Sequence, residues 1–215
     1  MAHPFWPLFD LRVRTPRLEL RGIDDDNATA LAALAAAGIH DPAAMPFAVE
    51  WTDVEPPQLQ VNAMQFYWRC RAELSPDSWN LNFAVFESDT LVGTTGMLAH
   101  HFPVLRTFET GSWLGQAHQR RGIGTEMRIA TLHLGFIGLG GRVATTSAFA
   151  DNPASLGVTG KLGYEPNGVL EKVRRGVPAS SLQFAMTAEH FDRHVRRADV
   201  ELHGVEPCLP LLGLS

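Results

Sequence analysis

Gln119-Arg120-Arg121-Gly122-Ile123-Gly124-Thr125 stands where a strand-like segment feeds a helix-like one, and the reading of the chain works outward from it. Before it, Thr107 to Leu114 reads as a strand. After it, Ile123, Met127, Ala130, Leu134 and Ile137 recur at helical spacing until the Gly138 to Gly141 cluster ends the pattern. Glycines at 122 and 124 let backbone amides approach an anion without side-chain obstruction, and the free amides and dipole of a helix N-terminus favour phosphate. Arg120 and Arg121 add cationic partners for phosphate oxygens. Local spacing leaves a second reading open, an ordinary tight turn with solvated arginines.

Other phosphate and catalytic motifs fail on inspection. A Walker loop needs Gly-Lys-Ser/Thr, and Gly160-Lys161 is followed by Leu162. A dinucleotide fingerprint starting at Gly138-Leu139-Gly140 would need glycine at 143, which is Val143. His190 and His194 lie one helical turn apart but lack the flanking glutamate of a zinc protease helix, so they read as an exposed face, as do His100-His101. No metal is expected. Ser155 has no GxSxG elbow around it, which argues against a hydrolase triad.

Upstream, Leu18 to Ile23 alternates apolar and charged residues as a half-buried strand does. Asp24, Asp25 and Asp26 read as the cap and first turn of an alanine-rich helix over 27–37 that Gly38 stops. Residues 39–57 hold four prolines with Phe47 and Trp51 and read as a long ordered loop. Pro56 and Pro57 fit the start of a second helix, with Val61, Met64, Trp68 and Ala72 on one face as its core side. Leu81, Phe83 and Val85, then the turn at 87–90, then Leu91 to Leu98, predict a hairpin. Downstream come a strand at Val143 to Phe149, a helix from Pro153 to Leu162, a strand pair from Tyr164 to Met186 and a helix from Ala188 to Arg197.

The 215 residues suit one full-sized domain, since a domain takes about 100 to 200. We take it as residues 1–198, with 199–215 as a C-terminal tail. With 45% hydrophobic and 19% charged residues, the composition is that of a globular protein rather than a disordered chain or coiled coil. The net charge of −5 offers no basic stripe for nucleic acid or an anionic membrane. No apolar run approaches the roughly 20 residues of a bilayer span. Met1 to Leu11 lacks the basic start of a signal peptide, and Cys70 and Cys208 form no CxxC pair, so the expected compartment is the cytoplasm.

Three segments in order then matter together: Glu109-Thr110-Gly111-Ser112-Trp113-Leu114, Gln119 to Gly124, and Asn152-Pro153-Ala154-Ser155 with Lys161-Leu162-Gly163-Tyr164. From about Thr15 to Met186 the chain resembles the GNAT superfamily of acyl-CoA-dependent N-acyltransferases, in the branch that includes the ribosomal-protein N-terminal acetyltransferases. Gln119, Gly122 and Gly124 match that family's Q/R-x-x-G-x-G/A loop. The implied α/β (α+β) fold is a mixed, mostly antiparallel twisted sheet flanked by helices. It is splayed open between the strand ending at Leu114 and the one starting near Val143, where the pantetheine arm of coenzyme A inserts like an extra strand.

The resemblance implies acetyl-CoA or succinyl-CoA as donor and a primary amine as acceptor: a protein N-terminus, a lysine or a small amine. Arg120 to Thr125, with Ile123 through its amide, would hold the pyrophosphate. Trp113 and Leu114 would offer backbone groups to the pantetheine, and Asn152 would bond it. Glu109 stands where that branch often keeps its base. The family's tyrosine acid would fall at Thr159, so Ser155 is the candidate acid, with simple cofactor contact as its other reading. A carboxylate-ended donor would need a cationic pocket, for which Arg106 or the long loop are candidates. Phe47 and Trp51 are expected either to line the acceptor site or to plug the loop. A domain that binds acyl-CoA without turnover is the other class of reading. The resemblance also suggests a homodimer, which the tail could serve unless it packs back on the domain.

Overall fold

The computed structural model describes residues 3–214; Met1 and Ala2 of the N-terminal stretch and Ser215 of the tail lie outside the described residues. In chain order the elements are β1 (Arg12–Arg14), β2 (Leu18–Gly22), α1 (Asp25–Ala36), α2 (Gln58–Ala72), β3 (Ser78–Glu87) and β4 (Thr90–His100). A single turn α3 (Phe102–Leu105), β5 (Thr107–Leu114), α4 (Ile123–His133), β6 (Val143–Phe149) and α5 (Pro153–Lys161) follow, then β7 (Glu165–Arg174), β8 (Val177–Thr187), α6 (Ala188–His194) and β9 (Glu201–His203). The strands form one nine-stranded sheet in the order β7-β8-β6-β5-β4-β3-β2-β1-β9. Every neighbouring pair is antiparallel except β5 and β6, whose parallel pairing requires the long crossover that α4 supplies.

Helices cover both faces of this sheet. Strand β3 shows how period two divides the core: Leu81, Phe83 and Val85 join the large cluster under α4, whereas Ala84 and Phe86 join a smaller one under α1 and α2. The large cluster is held by a run of rings, with Phe108 to Phe136 at 5.2 Å and Phe136 stacked on Phe191 at 4.8 Å between centroids. The acidic triplet caps α1 as expected: Asp24 Oδ1 accepts the Asn27 amide at 2.8 Å, and Asp25 and Asp26 occupy the first turn. Gly38 follows at φ 115°, a conformation that stops the helix.

Three expectations change. The core side of α2 is the face of Leu59 and Tyr67, both buried, while Val61 and Trp68 are 45% and 48% exposed and Met64 sits at the margin. The reason is the neighbour. Residue α1 carboxylate Asp25 accepts the Trp68 indole N–H at 3.1 Å, so that ring lies along the outer rim of the α1–α2 pair. In the crossover helix, α-helical geometry gives way to a π turn over Leu134–Gly138, which rotates Ile137 to the surface and buries Phe136 in its place. The last helix ends at His194 rather than Arg197. Residues 201–203 pair with β1 as an edge strand, and Cys208 and Leu212 beyond it are fully buried.

Candidate active site

The ladder between β5 and β6 consists of Thr107↔Val143, Phe108↔Ala144 and Glu109↔Thr145. Beyond that last pair the strands run on to Leu114 and Phe149 without backbone pairing, so a wedge opens between them. Gly122, at the wide end of the wedge, caps α4 at φ 80°, a left-handed conformation that suits glycine. Arg120 is also left-handed at φ 61°. The first-turn amides of α4, those of Ile123, Gly124 and Thr125, have no acceptor within the helix and point out of its N-terminus. A Cβ on Gly124 would sit between Val158 Cγ2 at 3.5 Å and Leu114 Cδ1 at 3.9 Å, filling the narrow space between β5 and α5 beside these amides. An unpaired strand edge leading to a glycine-built amide cradle fits a ligand with an extended, amide-bearing arm and a phosphorylated end.

Gln119 turns inward, its Nε2 donating to Ile39 O at 2.6 Å and Leu114 O at 3.0 Å, and so ties the loop to the end of β5. Arg121 pairs with Glu87 at 2.6 Å and remains half-exposed. Two residues that local sequence reading does not find complete the cradle. Arg17 donates to Arg121 O at 3.2 Å and pairs with Glu126 at 2.6 Å, bringing a third arginine to the loop. Burial opposes ionisation of Glu126, but hydrogen bonds from Thr15 and Arg17 and the Arg17 charge outweigh it and hold the carboxyl below its ordinary range. The partners lie 109 residues apart in sequence, so no local motif joins them.

On the α1–α2 face the wedge adjoins a cleft of about 580 Å³. Glu109 is exposed on its wall, which Trp113, Tyr67 and Asn82 also line. Phe47 and Trp51 line it too, with centroids 5.3 Å apart and Trp51 at 6.0 Å from Trp113, and they also pack on Ala35, Ile39 and Leu59. They are loop plug and cleft wall at once. Gly111 forms part of the floor, where an added Cβ would meet nothing within 4 Å. Across the wedge, Asn152 Oδ1 caps α5 by accepting the Ser155 amide at 3.1 Å, which leaves its NH₂ free of the cap. Ser155 is half-buried in that first turn and is not part of the cleft wall. The tyrosine-equivalent Thr159 is buried.

A profile of the acetyltransferase (GNAT) domain matches residues 17–165, most of the chain. The chain belongs to the GNAT acetyltransferase family. It is an acyltransferase of the acyl-CoA-dependent kind, and the wedge between β5 and β6 is the opening that such a sheet carries. Among solved structures it is similar in fold to Mycobacterium smegmatis RimJ bound to a CoA disulfide, with 17% identity, TM-score 0.67, and 93% of this chain and 92% of that one covered. It is also similar to RimL, a ribosomal-protein alpha-N-acetyltransferase in complex with coenzyme A, at 16% identity, TM-score 0.64, and 80% and 95% coverage. A Brucella melitensis GCN5-related N-acetyltransferase matches at 18% identity, TM-score 0.66, with 84% and 80% covered. Among the described residues no helix is long and apolar enough to cross a membrane, and no cluster of three or more His, Cys, Asp or Glu is placed to hold a metal.

Proposed function

We propose that this GNAT enzyme transfers an acetyl or succinyl group from the CoA thioester to a primary amine by direct attack in a ternary complex. The observation that carries the reading is the position of Glu109 at the closed end of the wedge, exposed to the adjoining cleft. The pantetheine lies along the unpaired edge of β5 at Trp113 and Leu114 and takes a bond from Asn152. The pyrophosphate rests on the amides of Arg121 to Thr125, among the side chains of Arg120, Arg121 and Arg17.

The amine enters from the cleft past Phe47 and Trp51. A lysine or N-terminal amine is largely protonated at neutral pH and attacks only as the free base, so Glu109 takes the proton, directly or through water. The nitrogen then bonds to the thioester carbon, and the oxygen gains negative charge that a backbone amide near Leu114 stabilises. Collapse breaks the C–S bond. The departing thiolate takes a proton from Ser155, whose hydroxyl is restored by the second proton that the acylated nitrogen sheds, and leaves as free CoA, while the amide product keeps the acyl group.

Release of CoA thiol on mixing acetyl-CoA or succinyl-CoA with a panel of peptides and small amines tests this. Glu109→Gln is expected to lower kcat/KM by about 10²- to 10⁴-fold, the range for loss of a general base. Amine-dependent turnover unchanged in that variant would refute the assignment. We further propose a homodimer in the cytoplasm. Val169, Leu170, Val173 and Val177, each more than half exposed on the edge hairpin β7–β8, support self-association, and light scattering giving a monomer mass would refute it.

A further inference from the structure

We propose that the donor carries an acyl chain ending in a carboxylate, as in a dicarboxylic acyl-CoA, and that Arg128 receives that carboxylate. This rests on the acyltransferase reading above and narrows its donor. Arg128 rises from α4 and is only 5% exposed. Its Nη1 donates to Thr110 Oγ1 at 2.9 Å and Thr146 Oγ1 at 3.0 Å, and its Nη2 to Ser112 Oγ at 3.1 Å. All three acceptors are neutral hydroxyls. Among the described residues no carboxylate lies within ion-pair distance of the guanidinium, and its buried Nε has no partner.

A buried cation without a counter-charge is strongly unfavourable, so this one calls for an anion that arrives from outside the chain. The surroundings are short of acceptors as well. The Thr146 hydroxyl is committed to Thr110 O at 3.0 Å, and the Thr110 hydroxyl lies 3.2 Å from the Tyr164 hydroxyl. The Nε proton, the second Nη2 proton and the Ser112 hydroxyl proton remain, and the Nε–Nη2 edge of the guanidinium matches the two oxygens of a carboxylate.

Position selects which anion. Thr110 and Thr146 each follow the last ladder pair, Glu109↔Thr145, so the guanidinium lies under the point where the strands part. Glu109 opens to the cleft on the opposite face of the sheet. The guanidinium lies on the α4 side of that fork, so an acyl chain that passes from a thioester held there to the α4 side of the sheet ends at Arg128. An acetyl group carries no charge and so leaves the guanidinium without a counter-ion. Arg106, the other candidate, is instead bound to Leu139 O at 3.2 Å.

Succinyl-CoA and butyryl-CoA have acyl chains of equal length and differ in a carboxylate against a methyl group. Calorimetric titration of the wild-type protein is expected to give succinyl-CoA roughly tenfold or more the affinity of butyryl-CoA, the factor that one charge-assisted bond supplies. In Arg128→Met the ratio is expected to fall to about one, and in Arg128→Lys to keep part of its value. Equal wild-type affinities would overturn the proposal. So would an Arg128→Met variant that weakens both thioesters and leaves the ratio intact, since Arg128 would then only brace the two strands. If Arg128→Met does not fold, the wild-type ratio and its reduction in Ser112→Ala decide. CoA binding with a ratio of one sinks this proposal alone, whereas a folded protein that binds no CoA compound sinks the acyltransferase reading with it.

Discussion

His133 shows at the scale of one residue how burial fixes a proton. Its Nδ1 lies 3.2 Å from Ile129 O, and its Nε2 lies 3.0 Å from both the amide and the carbonyl of Arg197. Burial, reinforced by Arg196 and Arg197 against Asp199, pushes its pKa down to about 4. The unfolded chain takes up the proton near pH 6.5 and the folded one only near 4, so the stabilisation is complete above pH 6.5 and lost as pH falls through that window. Urea titrations at pH 7 and pH 4.5 should therefore differ by up to about 3 kcal/mol from this group, and His133→Gln should flatten the difference. An unchanged pH slope in the variant would contradict the assignment. Gly122 is the other residue with a sharp demand: alanine there is strained by the φ of 80°, at roughly 1 kcal/mol, and displaces the amides that face the wedge.

Among the elements, the hairpin β7–β8 reaches across the molecule to the loop over the cleft. Arg175 at its tip holds Asp53 with Nε–Oδ2 at 2.7 Å and donates to Pro42 O at 3.0 Å, while Arg174 bridges Asp151 and the Met45 carbonyl. Exposed ion pairs contribute little to global stability, so Arg175→Ala should leave the urea midpoint nearly unchanged. It should still speed proteolytic cleavage within 42–53 several-fold, as high salt should in the wild type; a cleavage rate unmoved by either would show the loop to be held by Phe47 and Trp51 alone.

The same scale shows what a sequence can express. Strands β2 to β6 were legible because alternation survives wherever a sheet buries one face against each helix layer, and the cap at Asp24 and stop at Gly38 are local chemistry. The register of α4 past Leu134 was not, because a π turn changes the period without leaving a mark in composition. The buried side of α2 was not, because Trp68 is apolar in type but satisfied at the rim by Asp25. In the site, the glycine loop could be read locally, whereas Arg17, Glu126 and the Arg128 cage depend on contacts between distant strands.

Across the whole molecule, one sheet carries both the wedge and the closing segment at its far edge. β9 pairs with β1, and Leu212 beyond it is fully buried in the large core cluster that also contains Ile123 and Leu114. Leu212→Ala should cost about 2–5 kcal/mol, as core truncations of this kind do, measured as a shift in urea midpoint. A negligible loss would mean that the C-terminal segment is not part of the cooperative fold.

The central claim is that the wedge and glycine cradle bind coenzyme A. Calorimetric titration of the purified protein with CoA, beside the double substitution Gly122→Asp, Gly124→Asp, tests it most directly. The account predicts one site per chain in the wild type and loss of binding in a variant that still folds, because two carboxylates would then stand where the pyrophosphate lies. Wild-type protein that binds no CoA, or a folded variant that binds it unchanged, would contradict it.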